Sequence, residues 1–353
     1  MADATKISAQ QRAQYFAMST RQNMHMLSKK TITDESQTIS FEFPKSRYLS
    51  NVWVRVKMKL KATHASKTST AVTNLDLAKI IRRVSLNLNT GFQPFVVTGK
   101  ELLLYNLVAC NANTVLGEIG ESYNKKVTSL TASTSGTDNT VEMTLQLPVT
   151  LNGRDMPGLI LLQNESTTVT LDLDIGMGSD ITSDVTLKLT SMEISPMLET
   201  FSIPANEVAR PDLSVLKLVN GRTEDIPAEG QKIVKMSIGT IYRKIIMMFY
   251  DNTGAAASND YITSNLDIVF NQADNNYSVT PEMLRAMNEY NLNAKLPKGM
   301  YVFDFSQCGS FSNYGGSRDL IDTATLTEFW LRFNAKSAGK VDIISECLTR
   351  VRG

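Results

Sequence analysis

The stretch VRVKMKLKA, residues 54–62, alternates apolar and basic residues without a break. Its apolar positions are Val54, Val56, Met58, Leu60 and Ala62, and its basic positions are Arg55, Lys57, Lys59 and Lys61. Because successive side chains of a β-strand point to opposite faces, this period of two predicts a strand whose polar face carries four cations about 7 Å apart. Since that spacing is close to the spacing of phosphates along a nucleic-acid strand, the row has two interpretations. It is either a phosphate-binding strip or the solvated face of a half-buried strand.

The same period of two continues along the chain from residue 36 onward. It is found in ISFEF (39–43), VSLNLN (84–89), VEMTLQLPVTL (141–151), VTLDLDIGM (169–177), KIIMMFY (244–250) and TEFWLRF (327–333). Short strands separated by clusters of Gly, Asn, Asp and Ser predict an all-β sandwich or barrel. The alternation places these residues in the core: Leu86, Leu88, Leu171, Leu173, Phe329, Leu331 and Phe333.

Two similar segments indicate that one domain has been duplicated. Residues 86–107 and 268–292 each contain a strand, a polar turn, the pair VT, a predicted short helix and the pair NL. Thr98 with Glu101 forms a predicted capping box, and Thr280 precedes Pro281, a residue suited to the first helical position. Residues 52–60 likewise match the stretch that starts at residue 241, and 167–191 match 327–348. We therefore predict an N-terminal arm (1–35) and two domains (36–200 and 201–353).

The N-terminal arm differs from the rest of the chain in its charge. Residues 1–30 contain Lys6, Arg12, Arg21, Lys29 and Lys30 but only one acid, Asp3, which gives the segment a net charge of +4 in a chain whose total is +1. Ser8 followed by Gln11 predicts a capping box at a helix start. The apolar residues after it do not form one clean stripe, so the sequence predicts an arm that is helical in part.

Composition and motifs give little indication of chemistry. The near-neutral charge lacks the basic excess typical of nucleic-acid-binding proteins. The three cysteines form no CxxC pair and fit buried free thiols in a reducing cytoplasm. No phosphate-binding glycine motif occurs, and neither His25 nor His64 has a catalytic arrangement around it. We therefore expect no enzymatic activity and no cofactor.

One acidic cluster invites a metal interpretation. Asp172, Asp174 and Asp180 lie around Gly176 and Gly178, and Ca²⁺ prefers several carboxylate oxygens. However, Leu171, Leu173 and Ile175 alternate with the first two aspartates, which favours the solvent face of a strand. We expect no metal site there, although ion binding near these three residues stays open.

Membrane insertion and secretion are not indicated by the sequence. The first residues lack the apolar run of a signal peptide. No stretch approaches the roughly 18 consecutive apolar residues of a membrane span. We therefore expect a protein that is neither secreted by the usual route nor anchored by a helix of its own.

The order of elements resembles the double jelly-roll major capsid proteins of tailless, icosahedral, double-stranded DNA viruses with an internal membrane, most of all those of tectivirus-like bacteriophages. The resemblance is carried by these stretches: SNVWVRVKMKLKATHAS (50–66), NLDLAKIIRRVSLNLNTG (74–91), MEISPMLETFSIPANEVARPDLSVLKL (192–218), LPKGMYVFDFSQ (296–307) and LTEFWLRFNAKSAGKVDIISECL (326–348). It covers nearly the whole chain as an order of elements, and no single motif is diagnostic.

The resemblance implies a coat protein in a virion capsid, assembled in the host cytoplasm. It implies two tandem jelly-roll sandwiches, a homotrimer that forms a pseudo-hexagonal block, and contacts with neighbouring trimers and minor capsid proteins. It also places the N-terminal arm beside an internal viral membrane or a neighbouring subunit. The arm residues that would make this contact are Lys6, Arg12, Phe16, Arg21, Lys29 and Lys30.

A receptor- or carbohydrate-binding module with two jelly rolls, such as a viral spike or lectin, is the alternative. Lectins display exposed aromatic residues in their loops, and Tyr261 and Tyr314 are the candidates here. Whether the chain is a coat protein or a binding module, we expect no sequence-specific nucleic-acid binding. The residues that alternate with the cations of 54–62 are aliphatic rather than aromatic, so they offer no surface on which bases can stack.

Overall fold

The structure, a computed structural model, describes residues 8–89, 91–110, 115, 126–151, 156–163, 168–271, 274–306 and 320–350. The helices are α1 (Ala9–Ser19), α2 (Asn74–Ala78), α3 (Gly99–Ala109) and α4 (Pro281–Leu292). The strands in the first part of the chain are β1 (Gln22–Met26), β2 (Lys30–Ile32), β3 (Thr38–Glu42), β4 (Tyr48–Thr63), β5 (Ser69–Ala71), β6 (Ile81–Leu88), β7 (Phe92–Val97), β8 (Ser129–Thr131), β9 (Thr137–Pro148), β10 (Ile160–Leu161), β11 (Val169–Ile175) and β12 (Thr186–Phe201). The later strands are β13 (Val215–Ile226), β14 (Gly230–Lys235), β15 (Ile241–Asp251), β16 (Leu266–Phe270), β17 (Asp274–Val279), β18 (Met300–Asp304), β19 (Ile321–Asp322), β20 (Phe329–Ala335) and β21 (Gly339–Arg350).

The chain divides into two compact units. Unit 1 comprises residues 1–103, 114–217 and 350–353, and unit 2 comprises residues 104–113 and 218–349. The N-terminal arm is therefore part of unit 1, and the second part of α3 is part of unit 2. The units divide between Lys217 and Leu218, whereas the sequence-based domain boundary lies at residue 201.

Unit 1 is a sandwich of two antiparallel sheets. In one sheet, β4 pairs with β12, β9 and β10, and β12 also pairs with β1 and β2. In the other, the strand order is β7-β6-β11-β3. The alternation in residues 54–62 is reproduced in space, because Val54, Val56, Met58, Leu60 and Ala62 are all buried.

Unit 2 repeats this plan. One sheet has the order β18-β15-β21-β13, with β19 paired to β15, and the other has the order β14-β20-β16-β17. Its core is rich in aromatic rings. The ring centroid of Phe249 lies 5.0 Å from that of Phe333 and 5.9 Å from that of Tyr301, both edge to face, a geometry that adds to the stabilisation from burial.

Six of the seven predicted core residues are buried, and the prediction is wrong for Leu88. Its side chain is only half-buried. The register between β6 and β7 shifts between Leu86 and Leu88, and Asn89 follows with a φ of 51°. Such a bulge changes the direction of a side chain relative to the sheet, so the period of two ends before Leu88.

The local start signals of the helices are confirmed. At α1 the Ser8 hydroxyl accepts a hydrogen bond from the Gln11 N–H (3.2 Å), and the Ser8 N–H donates to the Gln11 side chain (3.0 Å). The Thr98–Glu101 capping box is also present. At α4 the Thr280 hydroxyl accepts a hydrogen bond from the Met283 N–H, with Pro281 in the first turn.

The cysteines do not all share the predicted buried environment. Cys347 is buried, which raises the pKa of its thiol to about 12, whereas Cys110 is only half-buried. Cys308 lies outside the described residues.

Candidate interaction surfaces

The basic row of β4 lies on the outer face of its sheet, among acidic residues of the flanking strands. Glu142 of β9 forms ion pairs with Arg55 and with Lys57, whose Nζ lies 3.2 Å from the carboxylate. Partial burial acts to raise the pKa of Glu142, but hydrogen bonds from Lys57 and Arg55 outweigh it and hold that pKa below its ordinary value. Lys59 and Lys61 are exposed. The cations are therefore partly neutralised within their own sheet.

Beside the basic row, the same face carries apolar and hydroxyl side chains. The Trp53 Nε1 donates a hydrogen bond to the Glu199 Oε1 (3.0 Å), and Met197 lies opposite Trp53 in the register of β12. We call the following half-buried or exposed residues the β4–β12 outer face: Trp53, Arg55, Lys57, Glu193, Ser195 and Met197.

The N-terminal arm is anchored to unit 1 through Phe16. Only 3% of the Phe16 side chain is exposed, and its ring centroid lies 5.5 Å from that of Phe201 and 6.4 Å from that of Tyr48. Leu159 completes this small cluster. The ring of Phe16 thus packs against residues of its own chain and is not exposed to a membrane or a neighbouring subunit.

The other predicted contact residues of the arm have different environments. Arg21 is exposed and Arg12 is half-buried, while Lys6 lies outside the described residues. Lys29 pairs with Glu193 (2.9 Å), and the Lys30 Nζ donates a hydrogen bond to the Ser40 carbonyl (2.6 Å). The exposed large apolar residues of α1, which the predicted contact set omits, are Tyr15 (49% exposed) and Met18 (85% exposed).

The two helices in corresponding positions, α3 and α4, share a buried face. A shift of 182 residues, from Val97 to Val279, pairs Leu102 with Leu284 and Asn106 with Asn288, and all four are buried. The Asn288 side chain donates a hydrogen bond to the Val302 carbonyl (2.8 Å) and accepts one from the Val302 N–H (2.9 Å). These two bonds hold α4 against β18.

On a second face the two helices differ. Glu101, Tyr105 and Val108 of α3 are buried, but their counterparts in α4 form an exposed apolar stripe. This stripe consists of Met283 (58% exposed), Met287 (49%) and Tyr290 (86%). Sequence reasoning missed it, although the i, i+4, i+7 spacing is visible in the sequence.

The acidic cluster does not form a metal site in the described part of the chain. Asp180 is bound by Arg82 (Nε to Oδ2, 2.8 Å), Asp174 accepts a hydrogen bond from the Thr38 hydroxyl (2.8 Å), and Asp172 accepts one from Asn87. Among the described residues, no group of three or more His, Cys, Asp or Glu side chains could hold a metal ion. Each of the three carboxylates therefore binds a different partner, and the three do not converge on one point.

The remaining candidate residues have structural partners or lie outside the described ranges. The His64 Nδ1 accepts hydrogen bonds from the backbone N–H groups of Ser66 (3.1 Å) and Lys67 (2.9 Å), so it caps a turn. Tyr261 is buried, and its hydroxyl donates a hydrogen bond to the Ser337 carbonyl (2.7 Å). Its ring is therefore not exposed in a loop where a sugar could stack on it. Tyr314 lies outside the described residues. Within the described ranges, no helix has the length and apolar character needed to cross a membrane.

Several solved viral coat proteins have the same arrangement. The major capsid protein of Sulfolobus Turreted Icosahedral Virus (STIV) superimposes with a TM-score of 0.68 at 13% identity, over 94% of this chain and 97% of that chain. The fold is a double jelly roll. The capsid of the virus PBCV-1 matches with a TM-score of 0.64 at 9% identity, over 93% and 94% of the two chains. The major capsid protein P2 of bacteriophage PM2 gives 0.56 at 11% identity, over 94% and 98%.

Sequence comparison adds nothing to this likeness. No protein-family model matches the chain, and no curated protein sequence matches it. The similarity is therefore one of fold: two jelly rolls in one chain, in the same order as in the solved coat proteins.

Proposed function

We propose that this chain is a major capsid protein. The observation that carries the proposal is the likeness of both jelly rolls to a solved coat protein over nearly the full length of each chain. The role is structural and requires no catalytic group. The protein would reside in the virion capsid after assembly in the host cytoplasm, together with neighbouring capsid subunits and minor capsid proteins.

The tandem arrangement has a physical purpose in this role. A homotrimer of a two-unit chain places six similar units around a three-fold axis, so a trimer can occupy a hexagonal position in an icosahedral lattice. The finer part of the proposal is a tectivirus-like shell around a membrane vesicle that encloses double-stranded DNA. The basic charge of the arm supports this part of the proposal.

Electron microscopy of the purified protein, and of particles from its source, tests the capsid role. We expect pseudo-hexagonal blocks in the purified material and the same blocks in an icosahedral shell. Glycan or receptor binding by material that never forms such blocks would instead support a spike or lectin.

For the arm, we propose contact with an anionic lipid surface. Each Lys or Arg near such a surface contributes about 1 kcal/mol, and Arg21 is exposed there together with Tyr15 and Met18. Phe16 serves as the internal anchor of α1 and leaves these side chains free to face the bilayer.

Liposome binding tests this contact without removing the arm. We expect the double variant Arg21→Gln, Met18→Ser to form trimers normally but to bind anionic vesicles several-fold more weakly than the wild type. The control Met177→Ser, the same Met→Ser change at an exposed loop residue of unit 1, should bind like the wild type. Loss of the trimer with no lipid binding by the intact protein would show that the arm joins subunits.

A further inference from the structure

The internal duplication relates two helix faces and two sheet faces. The helices correspond by a shift of 182 residues, which pairs Tyr105 with Met287. The match between residues 52–60 and the stretch starting at 241 pairs Arg55 with Lys244. Ser195 lies opposite Arg55 in β12, and Glu346 lies opposite Lys244 in β21. Ser195 is therefore the counterpart of Glu346.

Within unit 2 a helix face and a sheet face already meet. The Tyr105 hydroxyl, in the part of α3 that belongs to unit 2, donates a hydrogen bond to Glu346, which is also paired with Arg243 (2.7 Å). Tyr105 and Glu346 are both almost completely buried. The outer face of β15 and β21 is buried here too, as Ile246 and Ile344 show.

The surfaces that correspond to these two buried faces are accessible to solvent. The counterpart of the Tyr105 face is the exposed α4 stripe of Met283, Met287 and Tyr290. The counterpart of the Glu346 face is the β4–β12 outer face, whose residues are half-buried or exposed. One chain thus presents an exposed helix face in unit 2 and a matching sheet face of half-buried and exposed residues in unit 1.

The chemistry of the two open surfaces is complementary. Methionine side chains adapt to irregular apolar surfaces, and Trp53 and Met197 offer such a surface beside the small Ser195. The exposed Glu282 at the start of α4 carries the charge opposite to that of the exposed Lys57 and Lys59.

We propose that α4 of one copy docks through its Met283, Met287 and Tyr290 stripe onto the β4–β12 outer face of the next copy. The contact repeats between chains the one that α3 makes within unit 2. It is heterologous, so successive copies join head to tail, and a closed ring of three copies satisfies every such face. The inference rests on the proposed trimer and names the surfaces that form it.

A charged substitution in the stripe tests the energetic role of the contact. Met287→Asp should weaken trimer formation by about tenfold or more, as expected for a central interface residue. The matched change Met177→Asp, at an exposed methionine in a loop of unit 1, should leave trimer formation unchanged. Equal effects of the two substitutions would overturn the proposal.

A cross-link between chains tests the geometry directly. Met287→Cys and Ser195→Cys are placed in separate, coexpressed chains, and the mixed trimers are treated with a short bismaleimide. We expect a covalent dimer on a denaturing gel that neither variant alone forms, so that the native cysteines are controlled for. The pair Met287→Cys and Met177→Cys should give background only. Trimers that form without the expected cross-link would overturn the docking but not the capsid role, whereas absence of any trimer would contradict both.

Discussion

Leu171 and Asp172 are adjacent in β11 and have opposite environments. Leu171 is fully buried and lies between Phe41 of β3 and Leu86 of β6 in the strand register, whereas Asp172 lies on the other face and binds Asn87. Adjacent side chains of a strand point to opposite faces, so the two positions differ in burial although they share a backbone.

We expect Leu171→Ala to lower the free energy of unfolding by about 2 to 5 kcal/mol, because it leaves a cavity between the two sheets of unit 1. Asp172→Asn should change it by about 1 kcal/mol or less, since the amide oxygen can still accept the hydrogen bond from Asn87. Urea unfolding of both variants measures the difference. Equal losses would mean that the faces of β11 are wrongly assigned.

At the residue scale, burial could be predicted where it follows from alternation alone. Leu171, Leu173 and Phe333 are buried as the period of two predicts. Leu88 and Phe16 could not be predicted, since the environment of Leu88 depends on a bulge against β7. That of Phe16 depends on Phe201, far away in sequence.

At the scale of elements, β4 and β9 are joined by the two ion pairs that Glu142 forms with Arg55 and Lys57, and protonation of Glu142 breaks both. Glu142 has a lowered pKa in the folded state through Lys57 and Arg55. A carboxyl group whose pKa is depressed by folding contributes stability above its unfolded-state pKa and loses that contribution as the pH falls through the folded-state pKa. The contribution of Glu142 should therefore be complete at neutral pH and disappear in acid, below its ordinary pKa of 4.5.

We expect the urea midpoint of the wild type to fall more than that of Glu142→Gln between about pH 7 and about pH 3. The difference should be small, because partly exposed ion pairs contribute at most about 1 kcal/mol. The variant Glu229→Gln, an exposed carboxyl group outside this sheet, serves as a control and should follow the wild type. A larger fall in Glu142→Gln than in the wild type would contradict the sign.

Elements with strong local signals could be predicted, and those held only by distant partners could not. The starts of α1, α3 and α4 follow from capping residues within three positions. The strands β1 and β2 could not be read from the sequence. Their side chains are mostly exposed, and their pairing with β12 uses backbone groups. The different burial of α3 and α4 likewise depends on what each helix lies against.

At the scale of the whole molecule, the strand alternation and the internal similarity predicted an all-β chain of two domains, and the resemblance in the order of elements implied two tandem jelly rolls, the fold that is found. Sequence identity to the solved coat proteins is only 9–13%, so the fold is preserved by the pattern of buried and exposed positions rather than by particular residues. The assignment of residues 104–113 to unit 2 could not be predicted, because it arises from contacts such as that of Tyr105 with Glu346.

We expect the two-unit chain to assemble into a three-fold block. Light scattering of the purified protein during size-exclusion chromatography at micromolar concentration measures the mass of this assembly. We predict a single species of about 117 kDa, three times the 39.1 kDa mass of the chain. A stable monomer of 39.1 kDa under the same conditions would contradict the three-fold assembly.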